Sequence, residues 1–100
     1  MNVTILIPSY EPEERLVGYV DELASRGFER IVVVDDGSGE SYREIFGRLN
    51  AKPFCTVLHH DVNKGKGAAL KTGYAYIHEQ QPDSIGVVTA DADGQHSSDD

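Results

Sequence analysis

Along the chain, unbroken apolar runs alternate with segments in which apolar residues recur every third or fourth position. Residues 2–7 are rich in β-branched side chains, and Pro8, lacking a ladder donor, predicts that this first strand ends there. A helix should follow. Pro12 suits a first helical position, Glu13 and Glu14 favour the positive end of a helix dipole, and Leu16, Val20 and Leu23 share one face as far as Gly27. Residues 31–34 are continuously apolar, as a parallel strand covered on both faces requires, and the run stops at Asp35-Asp36-Gly37-Ser38. Ser41 and Glu44 have capping-box spacing, after which Tyr42, Ile45, Phe46 and Leu49 fall on one helical face. A short strand over 54–58, a helix over 68–81 and a strand over 85–89 complete the series. In that last helix Ala69, Gly73, Tyr76 and Ile77 face inward, Pro82 ends it, and Gly73 predicts close approach to the sheet.

Strand–helix alternation with short connections and right-handed crossovers predicts an α/β fold, a Rossmann-like three-layer αβα sandwich around a mainly parallel sheet. The expected strand order is 3-2-1-4, with the switch point between strands one and four. Ligands bind beyond the carboxyl ends of such strands, so the loops 8–11, 35–38 and 90–96 should meet at one crevice.

The chemistry follows from what those loops carry. Asp91 and Asp93 stand one residue apart just after the fourth strand, and in extended backbone such residues point the same way, toward one hard cation. Gln95 adds an amide oxygen, and a divalent ion held in this manner keeps positions open for substrate phosphate oxygens. The alternative is a solvated polar loop. Asp35 or Asp36 could accept an N–H from a nucleobase, or could simply form a turn and start the next helix. Lys64 and Lys66 lie among glycines at a helix start, a setting suited to an anion, although the spacing is neither that of a P-loop nor of a dinucleotide fingerprint. The alternative there is a solvated basic turn. His59-His60 lack spaced metal-binding partners and are expected to be surface or strand-end histidines.

Composition narrows the partners. At 100 residues the chain is one small domain, and a net charge of -8 with no basic, aromatic-interleaved patch excludes nucleic acid. Cys55 is the only cysteine, so no internal disulfide can form, and it should pack as a small hydrophobe in a reducing compartment. No apolar run is long enough to span a bilayer, and the expectation is a cytoplasmic protein. Ser97-Ser98 offers a helix cap with no helix behind it, so residues 1–100 are expected to be a domain truncated at its C-terminal end.

Taken in order, Ile-Pro-Ser-Tyr-Glu-Pro from Ile7, Val-Val-Asp-Asp-Gly-Ser from Val33, Asn-Lys-Gly-Lys-Gly-Ala-Ala-Leu from Asn63 and Asp-Ala-Asp-Gly-Gln-His from Asp91 resemble the motif set of family 2 inverting glycosyltransferases with the GT-A fold. The last motif is most similar to the branch containing dolichyl- and polyprenyl-phosphate mannosyl- and glucosyltransferases. The resemblance implies the nucleotide-binding half of a GT-A fold. It places Pro8, Tyr10 and Glu11 along the nucleotide pocket, Asp35 or Asp36 on the base and Lys66 near the diphosphate. Asp91, Asp93 and Gln95 would hold Mg²⁺ or Mn²⁺ against a UDP- or GDP-sugar, with Asp91 and Asp93 as catalytic residues through that metal. His96 belongs to the motif without an assigned role. Where such enzymes often have Asn-Glu after the tyrosine, this chain has Glu11-Pro12.

The implied reaction is inverting sugar transfer to an acceptor such as a polyprenyl phosphate, the full-length parent working at the cytoplasmic face of a membrane. The acceptor pocket and any base lie beyond the metal loop in the resembling enzymes, so these residues are expected to bind the donor without turning it over. Apolar surface should then be exposed where a missing half or an oligomer contact docks. Two of three rivals differ at defined positions. A sugar-nucleotide pyrophosphorylase would carry a glycine-rich basic loop in place of Ser9-Tyr10-Glu11-Pro12, and an aspartate-nucleophile phosphatase would place its Asp-x-Asp after the first strand. A non-catalytic nucleotide-binding or interaction domain shares the fold without the reaction.

Overall fold

A computed structural model describes residues 2–91, in the order β1 (Val3–Ser9), α1 (Arg15–Ser25), β2 (Arg30–Asp36), α2 (Arg43–Asn50), β3 (Cys55–His60), α3 (Lys66–Gln80) and β4 (Gly86–Thr89). The four strands form one parallel sheet in the order β3-β2-β1-β4, as the alternation of patterns predicts. Ile5, Ile7, Ile31 and Val33 meet Leu16 and Val20 of α1 and Phe46 and Leu49 of α2 on one face. Leu6, Val32 and Val34 meet Ala69 and Ile77 of α3 on the other, which completes three layers. Cys55 is buried in the first of these clusters, where burial pushes its thiol up to about 12 and keeps it protonated.

Several boundaries differ from expectation, each for a local reason. Pro8 does not end β1, which continues to Ser9 paired with Asp35 of β2. The carbonyl of Leu6 accepts the N–H of Ala90 at 3.0 Å, and Pro8, two residues on, faces the same side. Its missing donor therefore stops only the β1–β4 ladder, whose last pair is Leu6 with Thr89, and the sheet splits there. Pro12 is buried ahead of α1 rather than inside it. Glu11 adopts a left-handed φ of 49°, and Leu16 and Val17 bond back to Glu13 and Glu14 in a tight turn before the helix settles at Arg15. The Ser41–Glu44 capping box does not form, because residues Glu40–Tyr42 make a 3₁₀ turn and α2 begins at Arg43 without a side-chain cap. The last strands and helix are shifted by a residue or two, with β3 reaching His60 and α3 starting at Lys66.

Gly73 sits against the core as its position suggests: a Cβ there would lie 2.2 Å from Leu6 Cδ1, and Leu6 is fully buried. Gly73→Ala therefore sets about 1 kcal/mol of gained helix propensity against overpacking of about 1–3 kcal/mol. With Leu6 fully buried, a net loss of stability is expected in urea unfolding, and an alanine variant as stable as the parent would contradict this packing. On the edge strand β4 and just before it, Val88 and Ile85 are exposed. Among the described residues, no helix is long and apolar enough to cross a membrane.

Candidate functional site

Because the β1–β4 ladder stops at Leu6, a cavity of about 240 Å³ opens where the sheet splits. Pro8, Ser9 and Tyr10 line it from the end of β1, and Asp36 from the end of β2. Asn63, Gly65, Lys66 and Ala69 contribute from the start of α3, and Asp91 closes it beyond β4. The structure thus brings Pro8, Tyr10, Asp36, Lys66 and Asp91 together at one place. Asp35 and Glu11 are not among its lining residues, and Asp93, Gln95 and His96 lie outside the described residues. Ser9, Asn63 and Gly65 are lining residues that sequence reasoning did not single out. Ser9 carries a buried hydroxyl with no partner among the described residues, a cost of about 1–3 kcal/mol that a core position would not retain without reason.

The two acids ending β2 behave differently because neighbouring strand residues point to opposite faces. Asp36 is almost completely buried, and its carboxylate accepts four bonds. His60 Nδ1 (2.8 Å) and the Lys64 N–H (2.9 Å) reach Oδ1, while Asn63 Nδ2 (3.1 Å) and the Gly65 N–H (2.8 Å) reach Oδ2. No lone pair remains for another donor. Asp35 accepts the Ser38 N–H on one oxygen and faces His59 Nδ1 at 2.9 Å on the other, so each oxygen keeps spare capacity. The histidines differ too: His59 is exposed and sets its ring edge-on to Phe46, whereas the His60 side chain is only 7% exposed, its Nε2 2.7 Å from Thr72 Oγ1 on α3. Both stand at the strand end, but His60 is no surface residue.

Burial alone would push the Asp36 carboxyl up, yet the hydrogen bonds from His60, Lys64 and Gly65 outweigh it and hold it below the usual carboxylate value. A depressed folded-state pKa gives stability that is present above the unfolded pKa and lost as pH falls through the folded one. The stability gap between parent and Asp36→Asn is therefore expected to be widest near neutrality and to narrow below about pH 4 in paired urea titrations. A gap independent of pH would remove the charge from this account.

The cavity mouth is electrostatically mixed. Lys66 Nζ lies 3.8 Å from Asp91 Oδ1, and both side chains are exposed. Tyr10 is half exposed, and hydrogen bonding to the Glu11 carboxylate raises its phenol pKa above the ordinary value. Glu11 is fixed in turn through its N–H, which donates to Ser38 Oγ at 2.8 Å and ties the loop after β1 to the turn after β2. Among the described residues no group of three or more His, Cys, Asp or Glu could hold a metal. What Asp91 offers is an exposed carboxylate at the cavity wall, a donor suited to a hard cation with oxygen ligands.

A family model described as "Glycosyl transferase family 2" matches residues 4–100. Over 98% of its length the chain is 32% identical to a UDP-N-acetylglucosamine–dolichyl-phosphate N-acetylglucosaminyltransferase of Methanococcus voltae, of which it covers 43%. It is 31% identical to a dolichyl-phosphate beta-glucosyltransferase of Trichomonas vaginalis, again over 98% of its length and covering 32% of that protein. The chain thus spans less than half the length of these relatives.

Proposed function

The chain belongs to glycosyl transferase family 2, and from that we propose that it is the donor-binding part of an enzyme that transfers a sugar, with inversion, from a nucleoside diphosphate to a polyprenyl phosphate. The observation that supports this most is the meeting of Lys66 and Asp91 at one cavity on the β1–β4 seam. A cation on a helix N-terminus and an acid able to share a metal are what a diphosphate needs on its two sides. The acceptor class rests on the two relatives, both named for dolichyl phosphate.

Each residue then has a task. Tyr10 offers a flat, half-exposed ring to the base beside Pro8, and the Glu11 N–H bond to Ser38 ties its loop in place. Within the acidic pair, Asp36 shapes the cavity wall with its carboxylate saturated by its own chain, whereas Asp35, with lone pairs left, stands outside that lining. Lys66, with the first-turn N–H groups of α3 that have no partner within the helix, faces the diphosphate. Asp91, with Asp93 and Gln95, would hold Mg²⁺ or Mn²⁺, which when bound supplies Lewis-acid stabilisation of the leaving diphosphate. A phosphate acceptor is already ionised, so its oxygen needs little help from a general base. The full-length protein then works at the cytoplasmic face of a membrane, where a polyprenyl phosphate presents its head group.

Calorimetric titration with UDP- and GDP-sugars, with and without Mn²⁺, tests the reading. One of the two series should bind, and bind more tightly with the metal. No metal-dependent affinity for either would leave a domain with the family's fold and none of its donor chemistry.

A further inference from the structure

Asp36 and His60 form a buried pair that the donor chemistry does not use directly. Their side chains are only 5% and 7% exposed, and they join elements far apart in sequence. The Asp36 carboxylate receives the N–H groups of Lys64 and Gly65 and the Asn63 amide, which also donates to the Asp36 carbonyl at 3.1 Å. His60 completes the cluster by bridging Asp36 to Thr72, in the second turn of α3. The segment between β3 and α3 is thus clamped at its exit by Asp36, while α3 itself is held through Thr72. Immediately after the clamped residues come Lys66 and the N–H groups that open α3 without a partner inside the helix.

The geometry points to His60 as a positioning residue for anion binding, acting through Asp36 and Thr72 to hold the start of α3 against the cavity. This rests on the reading of the cavity as a nucleoside diphosphate site and adds a residue to it that touches no ligand. The physical reason lies in the bonds already on Asp36. Nδ1 of His60 donates to the carboxylate whether the ring is neutral or charged, and Nε2 meets the Thr72 hydroxyl as acceptor or donor accordingly. Without the imidazole, Asp36 loses one of two donors on Oδ1, the carboxylate is free to rotate, and Lys64 and Gly65 lose a fixed acceptor. The first turn of α3 then samples positions in which Lys66 and its neighbouring N–H groups no longer converge on one phosphate. Pro8, in β1, and Tyr10, just after its end, are untouched by this change.

The prediction is therefore a split between parts of one ligand. With Mn²⁺ present, His60→Ala should bind UDP or GDP about tenfold more weakly than the parent protein, while affinity for uridine or guanosine stays unchanged. The amide protons of Lys64 and Gly65 should exchange faster in the same variant. His60→Asn, whose amide can still donate to Asp36, should recover most of the diphosphate affinity, and Thr72→Val should lose less than His60→Ala. Should His60→Ala fail to fold, Thr72→Val carries the test against the parent and against His60→Asn: a diphosphate loss in Thr72→Val, without nucleoside loss and with affinity largely kept in His60→Asn, supports positioning. Diphosphate affinity equal to the parent's in His60→Ala, or in Thr72→Val where it stands in for that variant, or an equal loss for nucleoside and diphosphate, would overturn it. A parent protein that binds neither ligand would instead bring down the donor reading itself, and this inference with it.

Discussion

Asp91→Ala is expected to remove the manganese-dependent part of nucleotide-sugar affinity, a loss of about 100-fold, while leaving the unfolding free energy within about 0.5 kcal/mol of the parent. The two halves of this expectation come from one geometric fact. Asp91 stands beyond the last residue of β4, exposed, with Lys66 as its partner at 3.8 Å, so little of the fold depends on it. Its carboxylate nevertheless lines the cavity at the point where β1 and β4 part. Titration with and without Mn²⁺, beside urea unfolding of the same samples, reads both quantities. Metal dependence that survived the substitution would take the cation away from Asp91, and a large drop in stability would mean that the side chain serves the fold instead.

Gly37→Ala should produce the largest change in stability, about 2–5 kcal/mol, which is a substantial share of the 5–15 kcal/mol expected for a whole domain. Two costs combine there. Gly37 has a φ of 71°, a left-handed conformation that a Cβ disfavours. A Cβ would also lie 2.2 Å from the carbonyl carbon of Val62 and 2.3 Å from the nitrogen of Asn63. Both are backbone atoms, and the segment that carries them is bound to Asp36, so it can retreat only by breaking those bonds. Loss of stability should therefore come with loss of nucleotide affinity at temperatures where the variant is still folded. Equilibrium unfolding that placed Gly37→Ala within about 0.5 kcal/mol of the parent would show that the segment over Gly37 yields easily.

Much of the architecture can be derived from pattern alone. The continuous apolar run at residues 31–34 requires cover on two faces, and β2 is indeed buried along its central residues. Leu16 with Val20 and Phe46 with Leu49 mark the buried faces of α1 and α2 through their helical spacing. Boundaries were less accessible. Pro8 shows why: a missing N–H ends a ladder only on the side to which that N–H would have pointed, and the identity of the neighbour on that side is a property of the whole sheet. The capping box at Ser41 failed for a related reason, the chain having entered a 3₁₀ turn before the spacing could be used.

The same division holds at the site. Sequence by itself brought the loops 8–11, 35–38 and 90–96 to one sheet edge, because strand ends follow from local periodicity and parallel strands bring those ends together, while Lys66 was set beside them by the family resemblance. Only the tertiary structure decided that Asp36 is filled by its own chain while Asp35 is not, and that His60 lies inside rather than on the surface. Those outcomes depend on the pairing of Asp36 with His60 across β2 and β3 and on the path of residues 61–65 over Gly37. Register and loop path are set by contacts between segments distant in sequence, and no periodicity within either segment encodes them.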